Sequence, residues 1–449
     1  MYDIFYISKR NISTQAWKTF HDRFPTSQKI ENVVSFDDVK NKAFTKLFWI
    51  VWDDLIIDKN FNLDYIIPRW DDQYIHVFKN GNTWDGVAIF NKDFKISNRE
   101  FDHRFYSNKK EINIIASNPK PYDIFVIDNY DDYLKAVEES TTELFWIIPK
   151  EVELHPEFKF DLYFSHHEIT EQNMNHVFKH IFRGQETYTG VSLVSRKLTL
   201  SQKEITHRFL INKKQYPDIA SNLKPYDIVF ISYNEPNADE NFAKLIERFP
   251  RAKRVHGVKG IHQAHIAAAK LVETCMLWVV DGDAVIEKDF NFDHEVSTYE
   301  KDIVHVWRSK NPINDLVYGY GGVKLLPTDL TLNMDLSKPD MTTSISDKFK
   351  AIKSVSNITS FNTDPFNTWK SAFRECAKLS SKVIDRQKDD ETSFRLNAWC
   401  NLGTDREYGN YSIAGAIAGK LYGETNKGNL EALKKINDFD WLKRIFDEQ

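Results

Sequence analysis

The sequence has no long apolar run, few cysteines and little net charge, and each absence excludes a class of protein. No apolar stretch approaches the roughly 20 residues that span a bilayer, and the opening MYDIFYISKRN lacks the basic start and apolar centre of a signal peptide. We therefore expect a cytoplasmic protein without a membrane span. The cysteines have neither paired nor metal-ligand spacing, which argues against a disulfide framework or a zinc site: Cys275, Cys376 and Cys400. With a formal net charge of −5, a polyanionic partner would need a local basic patch.

What the sequence does contain is an internal repeat. The segment IASNPKPYDIF at 115–125 returns as IASNLKPYDIV at 219–229, and the chain opens with MYDIF. A second marker, LFWIV, LFWII and MLWVV, places a tryptophan on a buried strand of each copy: Trp49, Trp146 and Trp278. The repeat predicts three units, named here unit one, unit two and unit three: 1–118, 119–222 and 223–449.

The units have the pattern of α/β sheet units in tandem. Short apolar runs typical of strands alternate with helical patterns such as DENFAKLIERFP at 239–250, which predicts a mostly parallel sheet with helices on its faces. Unit two is shorter and has room for fewer crossovers. From about residue 337, unit three is expected to continue into a helical tail, including 366–384 and 411–421, without a counterpart in the other units.

The repeat also separates residues that serve the fold from residues that serve one unit. A residue shared by all three units favours a structural role, whereas a residue confined to one unit is a better functional candidate. His76, His176 and His305 lie in a shared marker (IHVFK, NHVFK and VHVWR), so a structural role is favoured for them over a metal site.

One element occurs in two similar copies, but only the copy in unit three carries a paired carboxylate. Residues 277–293 are LWVVDGDAVIEKDFNFD, and residues 48–64 are FWIVWDDLIIDKNFNLD. In register, Asp281 of unit three faces Trp52 of unit one and Pro149 of unit two. The first acid of the pair is therefore specific to unit three.

The second acid, Asp283, faces other acids, Asp54 and Glu151. Only unit three has two carboxylates separated by a glycine. Alternate residues of an extended segment point the same way, so both acids can reach one ligand, and Gly282 lets the backbone come close to it. Hard carboxylate oxygens suit Mg²⁺ or Mn²⁺, which in turn suit a diphosphate. A solvated surface turn is the alternative interpretation.

Two further stretches of unit three combine glycine with polar residues. VHGVKGIHQAHIAAAK at 255–270 places Lys259 and Gly260 before an alanine-rich helix, where a cation and free N–H groups suit an anionic nucleotide. The alternative is an ordinary helix start with loop glycines. YGYGGVKLLP at 318–327 has glycines inside a strand pattern, which indicates either a ligand in close approach or a bulge.

Together these motifs resemble the nucleotide-sugar glycosyltransferases of the GT-A fold. The order of a strand with a polar loop (VFISYNEPN), a Lys-Gly turn and helix, a strand ending in Asp-x-Asp and a Gly-rich strand is similar to theirs over roughly 223–400. KDDETSFRLNAWC at 388–400 looks like their acidic motif, and its Ser-Phe-Arg is close to that of polypeptide N-acetylgalactosaminyltransferases. The resemblance implies that unit three is a full GT-A, Rossmann-like catalytic unit with a helical C-terminal extension. Units one and two are then degenerate, non-catalytic copies.

The resemblance also implies roles for individual residues. It implies a Mn²⁺ or Mg²⁺ site formed by Asp281 and Asp283. It implies a nucleotide site, for which a UDP-sugar is favoured, that contains Ser232, Tyr233, Asn234, Glu235, Lys259, Gly260, His262 and Asp281. It places the catalytic acid/base at Asp389 or Asp390, and the Lys-Asp-Asp start of that motif leaves inverting or retaining chemistry open. Contacts to the donor or acceptor sugar are expected from Tyr320, Gly321, Gly322, Lys324 and Arg395.

The whole chain also looks like glycosyltransferase-like proteins encoded by large tailed bacteriophages, which would place it in the host cytoplasm. Two acceptors fit that setting: hydroxymethylated pyrimidines in phage DNA, and a surface glycan. A predicted helix before the acidic motif carries a basic stripe suited to duplex DNA: Lys370, Arg374, Lys378, Lys382 and Arg386. A merely solvated helix face is the alternative.

Two other classes of function share these features. A nucleotidyltransferase could use the same fold and the same metal pair, but it would consume a nucleoside triphosphate and release pyrophosphate. A non-catalytic DNA-binding or structural protein would keep its function after Asp283→Ala and would not bind a nucleotide-sugar.

Overall fold

The computed structural model describes residues 2–318, 321–338, 340–383 and 388–448. The chain is a mixed α/β protein with three sheets that follow one another in sequence. It divides into two compact halves, Met1–Leu223 with the first two sheets and Lys224–Gln449 with the third. In the described part of the chain, no helix combines the length and the apolar character needed to cross a membrane.

The first sheet belongs to unit one. Its strands are β1 (Asp3–Ile7), β2 (Ser27–Ile30), β3 (Leu47–Trp52), β4 (Leu55–Ile57), β5 (Ile75–Asn80), β6 (Ala88–Asn91) and β7 (Lys109–Pro119). Its helices are α1 (Thr14–Arg23), α2 (Asp37–Lys40) and α3 (Asn98–His103), with a 3₁₀ turn at Arg69–Asp71.

The second sheet belongs to unit two. Its strands are β8 (Asp123–Ile127), β9 (Leu144–Pro149), β10 (Val152–Leu154), β11 (Asn175–Phe182), β12 (Gln185–Thr187), β13 (Ser192–Ser195) and β14 (Lys213–Leu223). Its helices are α4 (Tyr130–Glu139), α5 (His166–Gln172) and α6 (Gln202–His207).

The third sheet belongs to unit three. Its strands are β15 (Asp227–Ser232), β16 (Lys253–His256), β17 (Met276–Asp281), β18 (Ala284–Ile286), β19 (Val304–Lys310), β20 (Val317–Tyr318), β21 (Val323–Pro327) and β22 (Phe349–Thr359). The helices among these strands are α7 (Ala238–Arg248), α8 (Ile261–Ala269), α9 (Thr328–Leu332) and α10 (Met341–Ile345). The later helices are α11 (Pro365–Ser381), α12 (Asp389–Asn401), α13 (Gly409–Thr425), α14 (Leu430–Lys434) and α15 (Phe439–Asp447), with a 3₁₀ turn at Lys435–Asn437.

The three sheets share one strand order, which confirms the prediction of three related sheets in tandem. The order is β2-β1-β3-β6-β5-β7-β4 in the first sheet and β16-β15-β17-β21-β19-β22-β18 in the third. The second sheet has β8-β9-β13-β11-β14-β10 and lacks an equivalent of β2. The short strands β12 and β20 pair with β11 and β19.

The prediction of a mostly parallel sheet was wrong. In the first sheet β1 is parallel to β2 and β3, and β5 is parallel to β7, but β6 is antiparallel to both of its neighbours and β4 to β7. The third sheet repeats this mixture. The loop between β5 and β6 is too short for a crossover helix, so this pair can only be antiparallel.

The predicted helical tail also begins later than expected. Residues 349–359 form β22, which pairs in parallel with β19 as β7 pairs with β5 and β14 with β11. The segment is therefore the third copy of the strand that closes units one and two. The helices that follow begin at Pro365.

The Tyr-Asp-Ile marker recurs because its polar side chains hold two loops in every unit. The tyrosine hydroxyl accepts a backbone N–H from a distant loop: Tyr2 from Ile67 at 3.1 Å, Tyr122 from Phe164 at 3.1 Å and Tyr226 from Val296 at 3.2 Å. The aspartate accepts an N–H of the loop before the strand that carries the marker tryptophan: Asp3 from Phe44 at 2.7 Å, Asp123 from Thr141 at 2.6 Å and Asp227 from Glu273 at 2.9 Å. These hydrogen bonds satisfy loop donors that would otherwise be unpaired.

The other two markers also serve the cores. Each marker tryptophan is fully buried and meets a phenylalanine edge to face: Trp49 with Phe61, Trp146 with Phe158 and Trp278 with Phe290. The marker histidines are buried opposite apolar residues of the neighbouring strand: His76 opposite Ile89, His176 opposite Leu193 and His305 opposite Leu325. Their burial agrees with the structural role predicted for these histidines.

Helices α11 and α13 pack with their backbones in close contact. Gly415, Gly419 and Gly423 lie one turn apart on α13 and face the backbone of α11. A Cβ atom on Gly419 would lie 2.1 Å from the carbonyl oxygen of Phe373. Only glycine allows so close an approach at these positions.

Gly419→Ala is therefore expected to destabilise the C-terminal half by about 1–3 kcal/mol, because the added methyl group forces the two helices apart. Thermal unfolding monitored by calorimetry would measure the loss. Ile417→Ala is the matched control on the same helix, because Ile417 is 54% exposed and its truncation should change Tm little. Equal Tm values for Gly419→Ala and wild type would contradict the close contact.

Candidate functional site

The Asp-Gly-Asp turn lies where β17 leaves the third sheet, and three neighbours hold its backbone. The N–H of Asp281 donates to Gly322 O at 2.9 Å, and the side-chain amide of Asn241 donates to Gly282 O at 3.0 Å. The N–H of Ser360 donates to Asp283 O at 2.6 Å. These bonds fix the backbone of the turn, so it is a built feature and not a loose surface loop.

A third carboxylate, that of Glu235, lies beside the turn. A Cβ atom on Gly282 would lie 2.8 Å from Glu235 Oε2, so the glycine makes room for this side chain. The same oxygen accepts the N–H of Tyr233 at 2.7 Å, which holds the carboxylate in place. The sequence predicted that Gly282 lets the backbone come close to a ligand; in the structure the group beside Gly282 is the carboxylate of Glu235.

Lys324 is the cation of this acid cluster. Its Nζ lies 2.8 Å from both carboxylate oxygens of Asp281, and its side chain is only 7% exposed. It stands opposite Val279 on β17, in the place that Ala88 has opposite Ile50 and Ser192 has opposite Ile147. Like Asp281, the lysine is therefore specific to unit three.

Asp283 is the acid that the surrounding protein neutralises least. Burial, together with the nearby charges of Asp281 and Glu235, raises its pKa from 3.8 to about 7, against the opposing effect of Lys324. A carboxylate with a raised pKa is one whose ionised form lacks a sufficient counter-charge. A bound cation would supply that charge.

Units one and two place an arginine at the acid that matches Asp283. In unit one, Arg104 Nη2 lies 2.7 Å from Asp54 Oδ2, and the arginine side chain is 4% exposed. In unit two, Arg208 contacts Glu151 in the same way. Both arginines follow a short helix, α3 or α6, in the left-handed region, with φ of 52° and 53°. The corresponding stretch of unit three, residues 337–348, contains no arginine.

Of the predicted nucleotide residues on the first loop, only Glu235 joins the acid cluster. The Ser232 hydroxyl is buried and bonded to Arg254 Nε and His256 Nδ1, both at 3.0 Å. Its carbonyl accepts the N–H of Gly257, a bond that Ser8 also makes to Val33 in unit one, so Ser232 serves the fold. Tyr233 is half-buried, and Asn234 is exposed on the loop.

The Lys-Gly turn begins α8 as predicted. Lys259 and Gly260 are exposed, and Gly260 has a φ of 95°, which favours glycine. The side chain of His262 does not point to the acids but contacts Ser344 Oγ at 3.1 Å. His265, which sequence reasoning passed over, is buried beside the acid cluster, where burial and then the charge of Lys324 lower its pKa to about 3.

The glycines before β21 serve the sheet. A Cβ atom on Gly322 would lie 2.5 Å from Asn357 Nδ2. Gly86 and Gly190 face Ser117 and Ser221 in the same way, within the repeated GV that opens GVAIF, GVSLV and GVKLL. Gly322 therefore has a structural role shared by all three units, and its contact with a sugar stays a prediction. Gly321 precedes it with a φ of 89°, and the predicted contact Tyr320 lies outside the described residues.

The predicted catalytic acids do not join the acid cluster. Asp389 and Asp390 are exposed at the start of α12, and Asp389 forms an ion pair with Lys382. Arg395 is paired with Glu391 one turn earlier on the same helix. Among the described residues, no hydrogen bond or ion pair joins these groups to Asp281 or Asp283. The role of Asp389 or Asp390 as acid/base stays a prediction.

The predicted basic stripe is not a solvated face in the described part of α11. Lys370, Arg374 and Lys378 are all half-buried, and α11 ends before Lys382. Burial lowers the pKa of Lys370, and the charges of Asp364, Glu235 and Asp283 oppose this effect. Among its described residues, the stripe thus brings one cation, Lys370, toward the acid cluster, and contact of the stripe with DNA stays a prediction. Arg386 lies outside the described residues.

Sequence reasoning therefore missed Asn241, His265 and Lys370 as neighbours of the acid cluster. The signal for each was weak: Asn241 is a buried polar residue of α7, His265 is a buried polar residue of the mostly apolar α8, and Lys370 is half-buried on α11. Which strand end such a residue approaches depends on tertiary packing and not on local spacing.

Comparisons with known proteins add little to this geometry. No family model matches the chain, and no curated protein matches it. Among solved structures, the crystal structure of HddC from Yersinia pseudotuberculosis matches with 17% sequence identity over 30% of this chain and 71% of that chain, with a TM-score of 0.19. Because so low a TM-score carries no argument about fold or activity, the site is interpreted from its own side chains.

Proposed function

We propose that unit three is a metal-dependent glycosyltransferase, which moves a sugar from a nucleotide-sugar, with a UDP-sugar favoured, to a hydroxyl acceptor. One observation carries the proposal. The acid two residues after β3, β9 or β17 is present in all three units as Asp54, Glu151 or Asp283, and in units one and two it is paired with an arginine whose side chain is 4% or 11% exposed. Unit three alone has the further acid Asp281 and has no arginine in the matching stretch, which supports an exchangeable cation at this place.

The side chains of the acid cluster fit Mn²⁺ or Mg²⁺. Asp281 and Asp283 would hold the ion, and Glu235 is the nearest further carboxylate, an all-oxygen set of the kind that these hard cations prefer. When bound, the metal supplies positive charge for a departing nucleoside diphosphate. Lys324 keeps Asp281 oriented, and Lys370 adds positive charge on the side of Glu235.

The acceptor hydroxyl must lose a proton when it attacks the anomeric carbon. Asp389 and Asp390 are the predicted proton acceptors, and the ion pair between Lys382 and Asp389 would have to open for Asp389 to act. Hydroxymethylated DNA and a surface glycan remain the two proposed acceptors. Lys370, Arg374 and Lys378 are half-buried, which weakens the argument for DNA from the basic stripe.

A thermal-shift screen of nucleotide-sugars with and without Mn²⁺ tests the proposal. We expect a UDP-sugar to raise Tm only when Mn²⁺ is present, because the diphosphate is held through the cation. Incubation with hydroxymethylated DNA or a glycan panel then identifies the acceptor from the released UDP. Consumption of a nucleoside triphosphate with release of pyrophosphate would instead indicate a nucleotidyltransferase. If neither kind of nucleotide shifts Tm, unit three is a non-catalytic protein.

A further inference from the structure

A second cluster of metal-ligating side chains lies in the N-terminal half. His103 is the last residue of α3, and His167 and Glu171 lie one turn apart on α5. One ligand atom from each of the three side chains lies within 4.8 Å of the other two. His103 Nδ1 is 3.1 Å from Glu171 Oε1, and the two imidazole rings are 5.9 Å apart between centroids.

Within its described part, the protein leaves one buried nitrogen of this cluster without a hydrogen bond. His167 Nδ1 is buried and makes no hydrogen bond with any described residue. Its ring stacks on Phe105, with centroids 5.0 Å apart and planes 26° from parallel, so the nitrogen is held in place. A buried polar atom without a partner destabilises a fold, and a bound cation would satisfy it.

The charges that face the cluster are compatible with a divalent cation. Arg99 Nη2 lies 2.6 Å from Glu171 Oε1 and is the largest cause of the lowered pKa of Glu171. The Arg99 side chain is 76% exposed, so it can leave the carboxylate without exposing apolar surface. Lys109 stacks over Phe105, on the ring that orients His167. Arg99 is thus a removable competitor for one carboxylate oxygen.

We propose that His103, His167 and Glu171 form a binding site for Zn²⁺ or a similar transition-metal ion. Two imidazole nitrogens and one carboxylate oxygen are a ligand set that Zn²⁺ accepts, with a fourth position left for water. Because α3 lies between β6 and β7 of the first sheet and α5 lies between β10 and β11 of the second, the ion would join units one and two. The site is independent of the acid cluster of unit three and of its proposed activity.

Unit two provides a matched control for this site. His207 ends α6 and is followed by Arg208, just as His103 ends α3 and is followed by Arg104. In both units the arginine contacts the conserved acid. The described residues place no second histidine and glutamate against His207 in a metal-binding group.

The test is titration of the full chain with Zn²⁺ by calorimetry, and with Co²⁺ by visible absorption. We expect His167→Ala to weaken binding by more than about 10-fold, since even outer-shell partners of a metal contribute that much. His207→Ala should bind like wild type, and Arg99→Gln should bind more tightly, because a competing cation is gone. Asp283→Asn should leave the Co²⁺ bands unchanged, which separates this site from the acid cluster.

Circular dichroism of each metal-free variant establishes that it is folded before affinities are compared. Absence of binding by the wild type, or equal affinity for His167→Ala and wild type, would overturn the proposal. Weaker binding by Arg99→Gln would also overturn it, because Arg99 would then support the site and not compete for it.

Discussion

Asp283→Asn is expected to stabilise the metal-free protein and to abolish its response to Mn²⁺. Burial, with Asp281 and Glu235 nearby, raises the pKa of Asp283 to about 7, so at pH 7.5 its ionised form is less stable in the folded chain than in the unfolded one. The sign follows from proton linkage. Between pH 4 and pH 7 the folded state holds a proton that the unfolded state has lost, so stability falls as pH rises.

Asparagine removes this penalty without changing the size of the side chain. After discounting for partial solvent screening, the gain at pH 7.5 should be about 1–2 kcal/mol. At pH 5 the gain should be smaller. The folded carboxyl is protonated there, and pH 5 is only a little above the pKa of the unfolded carboxyl, so the free energy of holding that proton in the folded state is small. Calorimetric Tm values of wild type and Asp283→Asn at both pH values, with and without Mn²⁺, measure the effect.

Asp54→Asn is the matched control, because it makes the same change at the same place in unit one. Here the acid already has its counter-charge in Arg104, which is 4% exposed. Removing the carboxylate leaves a buried guanidinium unpaired, so a loss of about 3–5 kcal/mol is expected. The Mn²⁺ response should not change. If both variants lose stability, Asp283 has its partner within the protein and the cation site is wrong.

The repeat allowed much of the fold to be predicted from the sequence. Trp49, Trp146 and Trp278 are buried because equivalent strands bury equivalent faces, and a degenerate repeat preserves those faces longest. The direction of β6 and the identity of β22 were not predicted. Strand direction depends on connection length and sheet order, and residues 349–359 show no apolar-in, polar-out alternation, because Phe349 is exposed whereas Ser356 and Asn357 are buried.

The candidate site was predicted only in part, for a related reason. Asp281 and Asp283 were found because their spacing is local and their counterparts in units one and two differ. Arg104 and Arg208 supply the counter-charge for the matching acids of units one and two. Each lies about fifty to sixty residues along the chain from the acid that it pairs with, so no local sequence pattern indicates the pairing. The four-residue spacing of the basic residues on α11 was visible in the sequence. Which face of α11 is buried, however, depends on its close contact with the glycines of α13.

Lys324→Met is the second substitution with a large expected effect. Lys324 Nζ contacts both oxygens of Asp281, and its charge opposes the rise in the pKa of Asp283. Without it, Asp281, Asp283 and Glu235 would face one another with no internal cation on Asp281. We expect the metal-free variant to lose about 1–3 kcal/mol, less than for a fully buried ion pair, because the side chain of Asp281 that is left unpaired is 36% exposed.

Mn²⁺ should recover most of that loss, because a divalent cation can neutralise the acids that Lys324 leaves unpaired. Binding at a hundred times Kd stabilises a folded protein by about 2.7 kcal/mol, which is enough to be measured as a rise in Tm. Lys378→Met is the matched control. It removes another half-buried lysine of the C-terminal half, one that lies near Asp340. The difference in Tm between this variant and wild type should be the same with and without Mn²⁺.

A double substitution separates charge from packing. Lys324→Met with Asp281→Asn should regain part of the stability in the absence of metal, because the unpaired carboxylate is gone, and should no longer respond to Mn²⁺. If Lys324→Met is unstable with or without Mn²⁺, the lysine packs the sheet and the acids do not bind a cation. If the single and double variants respond to Mn²⁺ equally, the cation binds elsewhere and Asp281 is not a ligand.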